Sequence, residues 1–307
     1  MRIAIIGQQA FGKAVFDAFV ERGHTVSGVF VPVPAPGAKP DPLGIAAQEN
    51  GRPAFPTTNY TDARTIETLR QLEVDLAVMA YVLQFVPQAF CRVPRLGTIQ
   101  FHPSLLPQHR GPSSINWPII LGKGHTGLTI FRPVDGLDEG PMILQREVEI
   151  GPDDTVGSVY FDKIFPLGVA ALLEAAELVD SGEAEERLQN ESQASYEGWV
   201  REGESHINWA SSVDIVYNLI RGCNPAPGAW TIGKGQRLHL FESRKIVSRT
   251  FAEVKGLRPG QVVSVSASSF TVLAQGGFIE VQRCRFADGR KIAGGEAGFA
   301  AGDMLGD

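Results

Sequence analysis

Cysteine is scarce: Cys91, Cys223 and Cys284 are too few and too widely spaced for a disulfide framework. No group of His, Cys, Asp or Glu stands at metal-ligand spacing, so no metal is expected. No apolar run approaches the roughly 20 residues a membrane helix needs, and no membrane partner is expected. The N-terminus, Met1-Arg2-Ile3-Ala4-Ile5-Ile6-Gly7, lacks the long apolar region and small-residue cleavage site of a signal peptide. A soluble, cytoplasmic protein is the expectation.

Basic charge is scarce too. Residues 1–190 carry 15 Lys and Arg against 22 Asp and Glu, a net −7, and residues 191–307 carry 13 against 12, a net +1. A polyanion is normally gripped by a basic face, so this balance weighs against nucleic acid. A nucleotide loop is also missing. Gly7 and Gly12 are spaced Gly-x4-Gly, and no Lys-Ser/Thr follows. These glycines are expected to permit a tight turn.

What is present is ordinary globular material, 43% hydrophobic and 20% charged, in a 307-residue chain long enough for two domains. Residues 2–7 read as a buried strand and the following residues as a helix to about Arg22, apolar at Val15, Phe16, Phe19 and Val20. A second strand runs from Thr25 to Phe30. That β-α-β opening predicts an α/β doubly wound sheet. Five prolines in residues 31–44 predict an extended loop. Helices are expected over 43–50, 62–72 and 114–122. Strands are expected over 74–80, 97–102, 126–131 and 142–150. Asp153-Asp154-Thr155 can cap a long helix, apolar through Val169, Leu172 and Leu173. The polar residues 182–204 read as a linker or strap. Beyond a helix at 212–221, short strands at 238–241, 262–265, 270–274 and 278–281 argue a small β-barrel. The expected division is 1–190, a linker at 191–205, and 206–307.

Two segments carry the chemistry. Gln100-Phe101-His102-Pro103-Ser104-Leu105-Leu106-Pro107-Gln108-His109-Arg110-Gly111 puts an imidazole at the end of an apolar run. Val134-Asp135-Gly136-Leu137-Asp138-Glu139-Gly140 places carboxylates in a Gly-bracketed loop. A His held by an Asp is a minimal apparatus for moving a proton near neutral pH. Taken alone, a His at a strand end reads first as a hydrogen-bonded structural histidine, and Asp138 could equally be a turn former.

The paired segments resemble the signature of the formyltransferase family that uses 10-formyltetrahydrofolate. Within it the chain resembles the hydrolase domains of 10-formyltetrahydrofolate dehydrogenases and is similar to methionyl-tRNA formyltransferases. The resemblance implies a Rossmann-like catalytic domain followed by an OB-like barrel. It implies catalytic roles for His102 and Asp138, with Gln100 standing where the family's transferases carry Asn. It also implies that the pterin ring of folate lies against the loop holding Tyr81, Val82, Leu83 and Phe85, residues that could equally be strand-end packing. Ser104, Leu105, Arg110, Asp135 and Gly136 are further candidates for binding the substrate or folate; Arg110 could equally fix its loop, and Asp135 flanks the core pattern. The expected reaction moves a formyl group from 10-formyltetrahydrofolate to water or a small amine or hydroxylamine. A methionyl-tRNA acceptor is the first alternative, opposed by the nearly neutral proline-rich loop with its one basic residue, Lys39. A non-catalytic folate-binding module is the second.

Overall fold

The computed structural model describes residues 1–248, 250–287 and 289–306. They form two compact units, one of residues 1–111, 127–148 and 163–196, the other of 112–126, 149–162 and 197–307. The units therefore interleave along the chain, whereas the sequence reading divided it in order near residues 190–206. Arg221 explains part of this. It donates through Nη1 to Gly151 O at 3.2 Å and Asp154 O at 3.0 Å, which fastens the 149–162 segment within the second unit.

The first unit is built on a seven-stranded sheet. Its strands are β1 (Arg2–Gly7), β2 (Thr25–Pro32), β3 (Ala54–Thr57), β4 (Leu76–Ala80), β5 (Thr98–His102), β6 (His125–Phe131) and β7 (Met142–Glu149). The order is β3-β2-β1-β4-β5-β6-β7. The first five strands pair in parallel and β6 runs antiparallel to β5. Central parallel strands are covered on both faces and read as unbroken apolar runs, which is why Ile3–Ile6 and Leu76–Ala80 were legible. The order reverses between β1 and β4, and a doubly wound sheet binds ligands beyond the strand ends at such a point. Gly7 closes β1 there; a Cβ on it would lie 2.2 Å from Ala80 O, so the two strands approach too closely for a side chain.

The helix Gln9–Glu21 buries Phe11, Val15, Phe16 and Phe19. Val20 was expected on that face but is exposed; nine residues beyond Phe11, it points about 180° away on a 3.6-residue helix. The helices Pro42–Glu49 and Ala63–Gln71 are capped by Asp41 and Asp62, whose side chains accept backbone N–H groups. The helix Phe165–Ser181 buries Gly168, Ala171, Leu172, Ala175, Ala176 and Val179. Val169 and Leu173 are only half-buried. Small residues form the contact face because the helix lies close over β5, where a Cβ on Gly168 would meet Phe101 at 2.6 Å. The continuous helical stretch Val156–Ser181 spans 26 residues with a mean hydropathy of 1.4, long and apolar enough to cross a membrane by composition. The sequence reading, counting uninterrupted apolar runs, did not register it. Of its apolar window, 28% is buried inside the protein.

The second unit carries two four-stranded antiparallel sheets, built from β8 (Ala229–Gly233), β9 (Gln236–Leu240), β10 (Ser243–Val247), β11 (Val262–Val265), β12 (Phe270–Ala274), β13 (Gly277–Val281), β14 (Arg283–Phe286) and β15 (Ile292–Ala293). Their orders are β10-β13-β12-β11 and β15-β14-β9-β8. One apolar core unites them, with Trp209, Leu238, Leu240, Phe270, Val272 and Ile279 among its buried members. The helix Val213–Gly222 contributes Val216, Tyr217 and Ile220, and Trp117 and Ile120 pack against it. Strands β8, β10, β14 and β15 were not expected. Of these, β10 is an exposed edge strand, and β14 alternates Arg283 and Arg285 with Cys284 and Phe286, so charge masks its apolar face.

Candidate active site

Strand β5 ends in His102, and side chains two apart on a strand share a face. Gln100 and His102 therefore project from the same side of the sheet. His102 is buried, and its Nε2 lies 2.9 Å from His109 O. A carbonyl only accepts, so Nε2 carries the proton in that bond. Nδ1 is the nitrogen left to exchange one, and it lies 3.6 Å from Asp138 Oδ2. The same Oδ2 accepts from Gly111 N at 2.9 Å. One short backbone segment, residues 109–111, thus fixes the imidazole through a carbonyl and the carboxylate through an amide.

That segment is itself held in unusual conformations. His109 and Asp138 have φ of 57° and 56°, and Tyr81, after β4, has 65°. Non-glycine residues in this region cost roughly 1–3 kcal/mol each and collect at sites of function. Gly140 closes the Asp138 loop with no room for a side chain, since a Cβ would lie 1.5 Å from Arg132 O. Gly140→Ala is therefore expected to lower unfolding stability by more than about 2 kcal/mol. An unchanged urea midpoint would contradict this close approach.

The remaining candidates separate into two groups. Tyr81, Leu83 and Phe85 are exposed, Phe85 at 61%, and Leu137 on the facing loop is 53% exposed. Val82 is half-buried. Gln88 links the two loops, donating from its backbone to Asp135 Oδ1 at 3.4 Å and from Nε2 to Pro133 O at 2.6 Å. Gly7, Gln8, Pro32, Tyr60, Tyr81, Val82, Leu83 and Gln84 line a groove of about 220 Å³ at the switch point of the sheet. Gly136 lies in the Asp135–Asp138 loop, against the Glu139 carboxylate.

Ser104, Leu105 and Arg110 form the second group. The Ser104 hydroxyl is fully buried and donates to Gln108 O at 2.7 Å, which commits it to the turn. Leu105 packs on the backbone of Gly127. Arg110 is buried, donating through Nη1 and Nη2 to Glu191 at 2.9 and 2.7 Å and through Nε and Nη2 to Gln189 Oε1 at 3.2 and 2.8 Å. These bonds hold the guanidinium within the protein and raise its already high pKa, while the same pairing lowers that of Glu191.

Sequence reasoning missed the partners that hold the turn. Thr129 Oγ1 donates to Ser104 O at 2.8 Å and accepts from Leu106 N at 3.1 Å. Gln145 Nε2 donates to Leu106 O at 2.7 Å. Ser195 accepts from His109 N at its hydroxyl and from Arg110 N at its carbonyl. Gln189, inside the stretch read as a linker, is buried. Its polar surroundings in sequence carried no signal of this.

Gln100 is half-buried, and its amide makes no hydrogen bond among the described residues. The site therefore brings together an imidazole whose Nδ1 faces a carboxylate oxygen and, two residues earlier on the same strand, the Gln100 amide. It has no thiolate. Burial pushes Cys91, Cys223 and Cys284 up to about 11, 12 and 11, so each is a neutral thiol at pH 7. Among the described residues no group of three His, Cys, Asp or Glu side chains is placed to hold a metal.

Residues 1–175 match the family described as formyl transferase, and residues 200–299 match the formyl transferase C-terminal domain. The mitochondrial 10-formyltetrahydrofolate dehydrogenase of Homo sapiens is 36% identical over 302 residues, covering 95% of this chain and 32% of that protein. This chain thus spans about a third of that relative's length. The methionyl-tRNA formyltransferase of Chloroflexus aggregans is 31% identical over 291 residues, 92% of each chain. Among solved structures, HypX from Aquifex aeolicus in complex with tetrahydrofolic acid aligns with a TM-score of 0.69 at 19% identity, covering 96% of this chain and 46% of that one. The sugar 3N-formyl transferase WlaRD aligns with a TM-score of 0.69 at 16% identity, covering 94% of this chain and 99% of that one. These two alignments establish the shared fold.

Proposed function

The chain belongs to the formyl transferase family, and from that premise we propose that it takes the formyl group from 10-formyltetrahydrofolate and passes it to water or a small amine or hydroxylamine. The observation that carries this reading is the buried His102–Asp138 pair, at the end of the strand that also carries Gln100. Formyl on a tertiary nitrogen is an amide-like acyl group. Its transfer needs a nucleophile, a donor for the oxyanion, and a proton for the departing nitrogen.

His102 Nδ1 takes the proton of the attacking water or amine, and Asp138 stabilises the imidazolium that results. Gln100 donates to the oxygen that becomes negative in the tetrahedral intermediate. Collapse breaks the bond from carbon to the folate nitrogen, and His102 returns the proton to that nitrogen. Water as acceptor gives formate and tetrahydrofolate; an amine gives a formamide and tetrahydrofolate. The exposed side chains of Tyr81, Leu83, Phe85 and Leu137 offer the apolar surface a flat heteroaromatic ring system requires. The likeness to a dehydrogenase that names 10-formyltetrahydrofolate supports the donor.

A second reading, transfer to methionyl-tRNA, is favoured by the near end-to-end match with the methionyl-tRNA formyltransferase. The two separate in one experiment. Formate or formamide appears from 10-formyltetrahydrofolate without RNA if the first reading holds, and methionyl-tRNA binding shows no steep salt dependence. Formyl transfer seen only with methionyl-tRNA, with binding that weakens sharply between about 50 and 200 mM salt, would replace the first reading by the second.

A further inference from the structure

Gln189 joins the backbone of the Asp138–Gly140 loop to the Arg110 side chain. Its Nε2 donates to Asp138 O at 2.7 Å and to Gly140 O at 2.8 Å. Its Oε1 accepts from Arg110 Nε and Nη2. A glutamine amide has two donors and two acceptor lone pairs, and here all four are used. Arg110 precedes Gly111, whose N–H reaches the Asp138 carboxylate. The bonds therefore close a ring: Asp138 Oδ2 to Gly111 N, along the chain to the Arg110 guanidinium, to Gln189, and back to Asp138 O.

The surrounding strap is fastened at both ends to the same unit. Arg187 and Met142 exchange backbone bonds, Arg187 N to Met142 O at 2.8 Å and Met142 N to Arg187 O at 2.7 Å. Ser195 N donates to Pro107 O at 3.1 Å, and Arg110 N donates to Ser195 O at 3.0 Å. Asp138 has a left-handed φ of 56°, and Gln189 holds the loop at that point by bonding the Asp138 and Gly140 carbonyls.

Given the role proposed for Asp138, we infer that Gln189 is a positioning residue for the reaction, setting the Asp138 carboxylate against His102 through the Asp138 and Gly140 carbonyls. It touches neither His102 nor the carboxylate itself, so its effect passes through geometry. A displacement of about 1 Å in such a group can cost on the order of 100-fold in rate.

Gln189→Glu tests this. It keeps the size and the acceptors that Arg110 uses, but removes both donors to the Asp138 loop. The expected result is a kcat reduced about 10- to 100-fold, with KM for 10-formyltetrahydrofolate unchanged. Combined with Asp138→Asn, it adds no further loss, because the two act through one group. The Gly111 amide also exchanges its hydrogen faster by NMR. A kcat within about twofold of wild type, or a loss that multiplies fully with that of Asp138→Asn, would overturn the inference. Wild-type protein that moves no formyl group would sink the proposed function instead. The Gly111 exchange rate still decides the inference in that case, and an unchanged rate overturns it.

Discussion

His102→Ala is expected to lower formyl turnover roughly 1,000-fold, within the range of about 10² to 10⁴ typical of a positioned acid-base group. A factor of 1,000 corresponds to about 4 kcal/mol of transition-state stabilisation. The basis is the tautomer that His109 O imposes. With Nε2 donating to that carbonyl, Nδ1 alone can take and return a proton, and it faces Asp138. Alanine removes that acceptor and leaves only the Asp138 carboxylate, whose Oδ2 is already bonded to Gly111 N. Binding of the folate should survive, because the apolar loops at Tyr81–Phe85 and Leu137 are untouched. Rapid-quench kinetics beside a folate-binding titration checks this. Loss of binding in parallel with loss of turnover would assign His102 to the framework.

Asp138→Asn should lower kcat by about 10² to 10³ with little change in stability. Asparagine keeps an oxygen to accept from Gly111 N and fills nearly the same volume, so the loop retains its bond. What it loses is the negative charge that stabilises the imidazolium as the proton arrives. The double variant His102→Ala/Asp138→Asn should be no slower than His102→Ala alone, since groups acting as one unit are far from additive. Fully multiplying losses would mean that Asp138 works independently of the histidine. Steady-state kinetics on the four proteins decides between these.

His102 and Asp138 were singled out together from two short segments, and the structure brings them within 3.6 Å; the roles expected of them came from the family resemblance. His102 ends a strand whose neighbours are buried, and Asp138 lies between Gly136 and Gly140. The parallel strands were legible in the sequence: covered on both faces, β1 and β4 have no polar alternation to confuse them. Gln189 was not. It stands among Glu183, Glu185, Glu186, Arg187 and Glu191, a composition that reads as a solvated linker. Its burial depends on Arg110, 79 positions away, a pairing no local pattern records. The interleaved units escaped for the same reason, since Arg221 reaches residues 67 and 70 positions upstream. Ser104 and Arg110 look available in sequence, being polar members of a conspicuous motif. Burial and their hydrogen bonds show that they hold the turn together.

The most direct measurement follows the formyl carbon itself. Purified protein is given 10-formyltetrahydrofolate labelled with ¹³C at the formyl carbon, alone and with a panel of small amines, and the label is tracked by NMR. The label is expected to leave the folate as formate or as a formamide, and to stay in place with the His102→Ala protein. Label that stays on the folate in every wild-type reaction, although the protein binds the folate, would contradict the proposed function.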